Sequence, residues 1–193
     1  MDTIAVFCGS SSGNDVEMTK MAFQLGEYMT SKGINLVYGG ANVGLMGQVA
    51  DGALAQNGTV IGVIPDFLKR KEIFHPNITE LIVVETMHER KLRIHELSNG
   101  FIALPGGFGT MEELFEIITW GQLGLHQKPI GILNVKGFYD AMLRFLDGMV
   151  TNGFLKQENR DMLLIGDTPE KLLSKMEEYK PTALPKWIEK EQT

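Results

Sequence analysis

The chain has 193 residues, 44% hydrophobic and 22% charged, which suits one globular domain with a real core and excludes a disordered chain. A formal net charge of −6 argues against binding along a nucleic-acid backbone, which needs a surplus of Lys and Arg, yet it allows a small anion in a local cationic pocket. Cys8 is the single cysteine, so a disulfide framework and a cysteine-based zinc site are excluded, and at the end of an apolar run it reads as a small buried residue. The start, Met1-Asp2-Thr3, lacks the basic segment of a signal peptide, and no apolar run reaches about 18 residues, so a soluble cytoplasmic protein with no membrane partner is expected.

In chain order, Ile4 to Cys8 is a wholly apolar run. Met18, Met21, Ala22, Leu25 and Met29 then form one helical stripe, stopped by Gly33. Asn35 to Tyr38 predicts a strand, Leu45 to Gln56 a helix closed by Asn57-Gly58, and Val60 to Ile64 and Leu81 to Val84 two more strands. A helix is predicted over Met87 to Leu97, a strand over Phe101 to Leu104, and a helix over Met111 to Leu123. The strand Ile130 to Leu133 and helices over Phe138 to Thr151 and Pro169 to Tyr179 complete the set. Apolar runs without polar alternation suit strands covered on both faces. The alternation predicts an α/β fold: a doubly wound, Rossmann-like parallel sheet flanked by helices, with ligands at the carboxyl ends of the strands. It occupies residues 1–180 as a single domain, followed by a surface tail over 181–193 around Trp187.

Three strands run into glycine turns followed by helices: Cys8-Gly9-Ser10-Ser11-Ser12-Gly13, Tyr38-Gly39-Gly40 through Gly44 and Gly47, and Leu104-Pro105-Gly106-Gly107-Phe108-Gly109-Thr110. Glycine lets backbone N–H groups approach a ligand, and a helix start attracts phosphate. Three such turns on one sheet edge point to a phosphorylated ligand. The Walker pattern is absent, and Gly9 to Gly13 does not fit the dinucleotide fingerprint, which disfavours a nicotinamide enzyme.

In the third turn Thr110 is placed as the helix cap, with Glu112 and Glu113 in the first turn. Such acids complement a helix dipole, but a carboxylate beside a sugar-phosphate site is also what glycosidic hydrolysis needs, because its transition state is oxocarbenium-like. Glu112 and Thr119 share a stripe, and Glu113 lies about 100° further round, so the two acids have different duties. Upstream, Glu89 and Arg93 are spaced for an i, i+4 pair, whereas Arg90 and Lys91 stand near a helix start, where cations are unfavourable unless an anion is near. His88 and His95 have no third ligand at metal spacing, so no metal is expected.

Met87-His88-x-Arg90-Lys91, followed by Pro105-Gly106-Gly107-x-Gly109-Thr110-x-x-Glu113, resembles the LOG (Lonely guy) family, whose members were often labelled lysine decarboxylases. The similarity extends from Phe7-Cys8-Gly9-Ser10-Ser11 through Thr119-Trp120, Lys128-Pro129, Asn134 and Gly153-Phe154. The resemblance implies a cofactor-free, dimeric phosphoribohydrolase that converts cytokinin riboside 5′-monophosphates to free base and ribose 5-phosphate. It assigns Arg90 and Glu113 to catalysis, and Glu72, Arg90, Lys91, Gly106, Gly107, Phe108, Gly109, Thr110, Met111, Glu112 and Thr119 to substrate binding. Asn99 stands where many relatives have Asp, and Phe108 where plant relatives usually have Tyr. The decarboxylase label would need pyridoxal phosphate on a suitably placed lysine, and none follows these glycine turns. A non-catalytic nucleotide carrier is the alternative, which the Arg90/Glu113 pair disfavours. Met18, Phe67, Trp120 and Met142 are candidates for an apolar base pocket, each also suited to the core.

Overall fold

The computed structural model describes residues 1–69 and 74–181, so Glu72 and the segment around Trp187 lie outside the described residues. Seven parallel strands are β1 (Thr3–Phe7), β2 (Asn35–Tyr38), β3 (Val60–Pro65), β4 (Glu80–Val84), β5 (Gly100–Ala103), β6 (Ile130–Leu133) and β7 (Leu163–Gly166). The helices are α1 (Val16–Ser31), α2 (Gly44–Ala55), α3 (Asp66–Lys69), α4 (Met87–Leu97), α5 (Phe108–Gln122), α6 (Asp140–Thr151), α7 (Gln157–Arg160) and α8 (Pro169–Glu178).

Strand order is β4-β3-β2-β1-β5-β6-β7, the doubly wound sheet that the sequence predicts. The winding reverses between β1 and β5, which are paired through Ala5↔Phe101 and Phe7↔Ala103. Their diverging connections open a crevice at the carboxyl edge there.

Successive strand residues feed two cores. Ile4, Val6, Leu36, Tyr38 and Ile102 pack under α1, α2 and α8, while Ala5, Phe7, Val37, Phe101 and Ala103 pack under α4, α5 and α6. Both faces are therefore dry, as the unbroken apolar runs require. Helices α1 and α2 cross without intervening side chains: a Cβ on Gly26 would overlap the Val49 carbonyl, and one on Gly52 the Phe23 carbonyl.

The structure adds β7, which the sequence reading lacks, and the short α3 and α7. Helix α6 starts at Asp140 and not at Phe138, because a 3₁₀ turn over Val135–Gly137 comes first, with Lys136 at φ 51°. Asn99 sits at the opposite sheet edge from the crevice, where its side-chain oxygen accepts the N–H groups of Asp2 and Thr3. Its departure from Asp therefore does not reach the site.

Candidate active site

At the winding reversal lies a cleft of about 320 Å³, floored by Cys8, Gly9 and Ser10 after β1 and by Gly39 after β2. Gly107, Phe108, Gly109 and Thr110 form one wall, and Arg90, Glu112 and Glu113 reach it from α4 and α5.

Two sequence placements change here. Helix α5 is capped by Gly107 in an extended conformation, so Thr110 lies inside the helix and is buried, and Glu112 and Glu113 fall in the second turn. The sequence predicts Phe108 and Gly109 as turn residues, but both are helical. The first turn consequently holds no acid, and no side chain caps it. Helices α1, α4 and α8, by contrast, are capped by Asp15, Thr86 and Thr168 and carry Glu17, Glu89 and Glu170 in their first turns. The first N–H groups of α5 have no carbonyl within the helix to bind, and the positive dipole end is not neutralised from within. Helix α2 is also uncapped, but its Leu45 N–H donates to the Gly9 carbonyl. The start of α5 is the better anion seat.

The cradle is rigid from below. Gly9 N–H donates to the Pro105 carbonyl, 3.0 Å, and Leu104 N–H to the Phe7 carbonyl, 2.9 Å. A Cβ on Gly106 would overlap the Thr110 hydroxyl, so only glycine lets the turn fold back against the helix.

Arg90 and Glu113 meet across the cleft, with Nη2 3.6 Å from Oε1 and each side chain 13% exposed. Arg90 Nε–H donates to the Val63 carbonyl at 3.1 Å, and the guanidinium lies over Gly39, where any Cβ would displace it. Burial pushes the Glu113 carboxyl above its ordinary range against the pull of Arg90; Glu112 adds to the rise and Lys91 opposes it. A carboxyl raised in this way is a better proton acceptor than an ordinary glutamate. Burial also pushes the Cys8 thiol far up, with Glu113 adding and Arg90 opposing, so it stays neutral.

Glu112 and Lys91 serve each other. Lys91 Nζ donates to Glu112 at 2.7 Å and to Glu116 at 2.9 Å, with Glu112 55% exposed. Burial works against the Lys91 charge, but these two hydrogen bonds outweigh it and hold the ammonium above its ordinary value. Met111 packs against the α4–α6 core. Thr119 is exposed, its hydroxyl donating to the Phe115 carbonyl, and it does not line this cleft. The expected Glu89–Arg93 pair is replaced: Glu89 accepts the Glu85 N–H behind the Thr86 cap, and Arg93 pairs with Glu96.

Of the apolar pocket candidates, Met18, Trp120 and Met142 pack on the two cores, and Phe67 is 49% exposed. The apolar cleft wall is instead Met46, Leu68 and Met87, with Phe108 96% exposed at the rim. Leu68 had no readable signal, because α3 is too short to show periodicity. Met46 did have one, directly after the second glycine turn.

Fold and site thus define a Rossmann-like α/β protein with an uncapped, acid-free helix start and a buried Arg–Glu pair at the switch point. The family model described as "Possible lysine decarboxylase" matches residues 46–176. The chain is 49% identical over 176 residues to the "Probable cytokinin riboside 5′-monophosphate phosphoribohydrolase LOGL1" of Oryza sativa subsp. japonica, covering 91% of this chain and 79% of that one. It is 47% identical over 178 residues to the cytokinin riboside 5′-monophosphate phosphoribohydrolase LOG2 of Arabidopsis thaliana, covering 92% and 84%. The chain belongs to this LOG family. Among solved structures, a molybdenum cofactor binding protein of Rippkaea orientalis superposes with a TM-score of 0.70 at 24% identity, over 91% of this chain and 95% of that one. The molybdenum cofactor carrier protein of Chlamydomonas reinhardtii gives 0.66 at 19%, over 91% and 96%. These two likenesses concern the fold alone.

Proposed function

We propose that this protein hydrolyses the N-glycosidic bond of nucleoside 5′-monophosphates, releasing free base and ribose 5-phosphate, with N6-substituted adenosine monophosphates such as cytokinin riboside 5′-monophosphates as its substrates. The single observation that carries the reading is the buried Arg90–Glu113 pair, one helix turn from an uncapped, acid-free helix start. The names of relatives 44–49% identical support it.

The 5′-phosphate, carrying about −1.5 to −2 charge, lies on the N–H groups at the Gly106–Thr110 turn. That non-reacting group orients the sugar, so that C1′ faces Glu113. The C1′–N bond breaks with its electron pair going to the base nitrogen, which takes up the proton that Glu113 collects from the attacking water. Positive charge develops at C1′ and is stabilised by the carboxylate. Water attacks C1′ and gives a proton to Glu113, and Arg90 holds that carboxylate ionised and aimed. Glu112 is tied to Lys91, which leaves Glu113 as the acid at the sugar. Met46, Leu68 and Met87 supply an apolar wall for the base. No cofactor enters this scheme. A pyridoxal-dependent decarboxylation finds no support here: among the described residues no lysine lines the cleft, and Lys91, beside it on α4, is engaged by two carboxylates.

The working unit is a homodimer in the cytoplasm. Among the described residues no helix is long and apolar enough to cross a membrane. An open groove of about 750 Å³, lined by Leu92, Trp120 and Leu125, lies beside the catalytic helices α4 and α5. Leu92 in the groove is 49% exposed, and Phe115 on α5 is 36% exposed. Thr119 shares the Glu112–Phe115 face, so a second copy seated on that face would bring Thr119 towards a cleft that its own subunit does not let it line. Sedimentation velocity tests this; a monomer at assay concentration refutes it.

The chemistry is tested by chromatography of products from AMP and N6-isopentenyl-AMP, with the phosphate-free nucleosides as controls. Release of base from the monophosphates is expected, with the nucleosides cleaved far more slowly. Retention of the nucleotide without cleavage would identify a carrier, and equal cleavage of the nucleosides would remove the phosphate anchor.

A further inference from the structure

We propose that Tyr139, about thirty residues downstream of the glycine turn, is a positioning residue that sets the geometry of the phosphate cradle; this deepens the reading of the α5 start as the phosphate seat. Its ring is buried, and its hydroxyl donates to the Leu104 carbonyl at 2.6 Å. Leu104 lies one residue past the end of β5, and its N–H still donates to the Phe7 carbonyl of β1. The next donor on that side, Gly9 N–H, goes to the Pro105 carbonyl, so the Leu104 carbonyl is left outside the ladder and the Tyr139 hydroxyl supplies its donor.

The next residue is Pro105, whose ring locks φ. With φ fixed there, the orientation of the Leu104–Pro105 peptide plane passes into Gly106 and Gly107, the residues that launch α5. The next carbonyl along, Pro105, is held by Gly9 N–H. Two consecutive carbonyls entering the cradle are thus fixed from two separate elements, and Tyr139 is the side-chain half of that clamp.

The connector that carries Tyr139 is built to aim it. Asn134 Oδ1 accepts the Tyr139 N–H at 2.8 Å, and its Nδ2 donates to Asp140 at 2.7 Å. Between them the chain turns through Lys136 at φ 51° and Gly137 at φ 74°. A non-glycine residue in that region persists only where its surroundings hold it. Here Lys136 is tied to Asp15, the cap of α1, at 2.6 Å. None of these groups lines the cleft.

The test is Tyr139→Phe, which keeps the ring and removes the hydroxyl. KM for AMP or N6-isopentenyl-AMP, and the calorimetric Kd for ribose 5-phosphate, are expected to rise about five- to tenfold, the effect of one lost hydrogen bond to a buried carbonyl. Turnover at saturation should change less than about twofold, since the reacting atoms are untouched. Slow cleavage of the phosphate-free nucleoside should be unaltered. A purely structural role would lower the melting temperature and depress both substrates alike, and that pattern, or unchanged ribose 5-phosphate binding, overturns the proposal. Asn134→Ala is the second variant, should Tyr139→Phe fold poorly. It keeps the hydroxyl but frees its mount, so it should raise KM in the same selective way, and a wild-type KM there also overturns the proposal. Failure of the underlying functional reading is a different result: wild-type protein that neither binds ribose 5-phosphate nor releases base.

Discussion

Replacing Glu113 by Gln separates catalysis from stability. At 3.6 Å from Arg90, the gross attraction is about 5 kcal/mol at an effective dielectric of roughly 20. Burial nevertheless wins, because the carboxyl is pushed above its ordinary value of 4.5. The sign follows from linkage. A raised carboxyl contributes stability that is fully present below the unfolded pKa and is lost as pH rises through the folded pKa, so at pH 7 an ionised Glu113 costs stability. Glutamine removes that cost and keeps the shape, while Arg90 retains its hydrogen bond to the Val63 carbonyl. The melting temperature of Glu113→Gln at pH 7 should therefore lie within about 4 °C of wild type or above it. Base release should fall about 10²- to 10⁴-fold, the usual worth of a positioned proton acceptor, or roughly 3 to 5 kcal/mol of barrier. Chromatographic turnover and scanning calorimetry on the same preparation give both numbers. A folded variant within tenfold of wild-type kcat would remove Glu113 from the chemistry, and a large loss of stability with intact turnover would invert its role.

Gly39→Ala should push the Arg90 guanidinium off its seat, since the new Cβ meets Nη2 and comes within 3.0 Å of Met46 Sδ. Turnover should drop about 10²-fold with little change in melting temperature, because the displaced group is the end of a flexible side chain. Lys91→Met removes a charge that lowers the Glu113 pKa and unmasks Glu112, which raises it; the acid limb of kcat/KM should move to higher pH, by less in high salt. Gly52→Ala places a Cβ on the Phe23 carbonyl at the α1–α2 crossing, and the denaturant midpoint should report a loss of about 1 to 3 kcal/mol. Burial lowers the His126 pKa below its ordinary 6.5. Its contribution is present above that value and lost as pH falls through the folded pKa, so His126→Asn should flatten the decline of melting temperature on the acid side of 6.5.

Much of the fold was legible because its signals are local. Unbroken apolar runs mark strands covered on both faces, and Val60 to Ile64 and Phe101 to Leu104 fall where β3 and β5 lie. Strand β7, at the sheet edge, is not among the strands that the apolar runs mark. The start of α5 was misplaced because Gly107-Phe108-Gly109 looks like a turn, while packing of Thr110 against Gly106 extends the helix backward. The partners of Lys91, 21 and 25 residues away, and the hydroxyl 35 residues from Leu104 have no periodicity to betray them.

By itself, the sequence determined the layered α/β architecture, the edge of the sheet where the glycine turns gather, and the family motif that singles out Arg90 and Glu113. It could do so because alternation, glycine turns and motif spacing are properties of the chain. Only the tertiary structure decided which glutamate meets Arg90. The phase of α5 is set by Leu114 and Ile117 turning into the core, which carries the neighbouring Glu113 inward to Arg90 and leaves Glu112 to Lys91 at the surface. It likewise seated Arg90 on Gly39, because contacts between residues distant in the chain depend on how the elements pack and not on the spacing of residues along it.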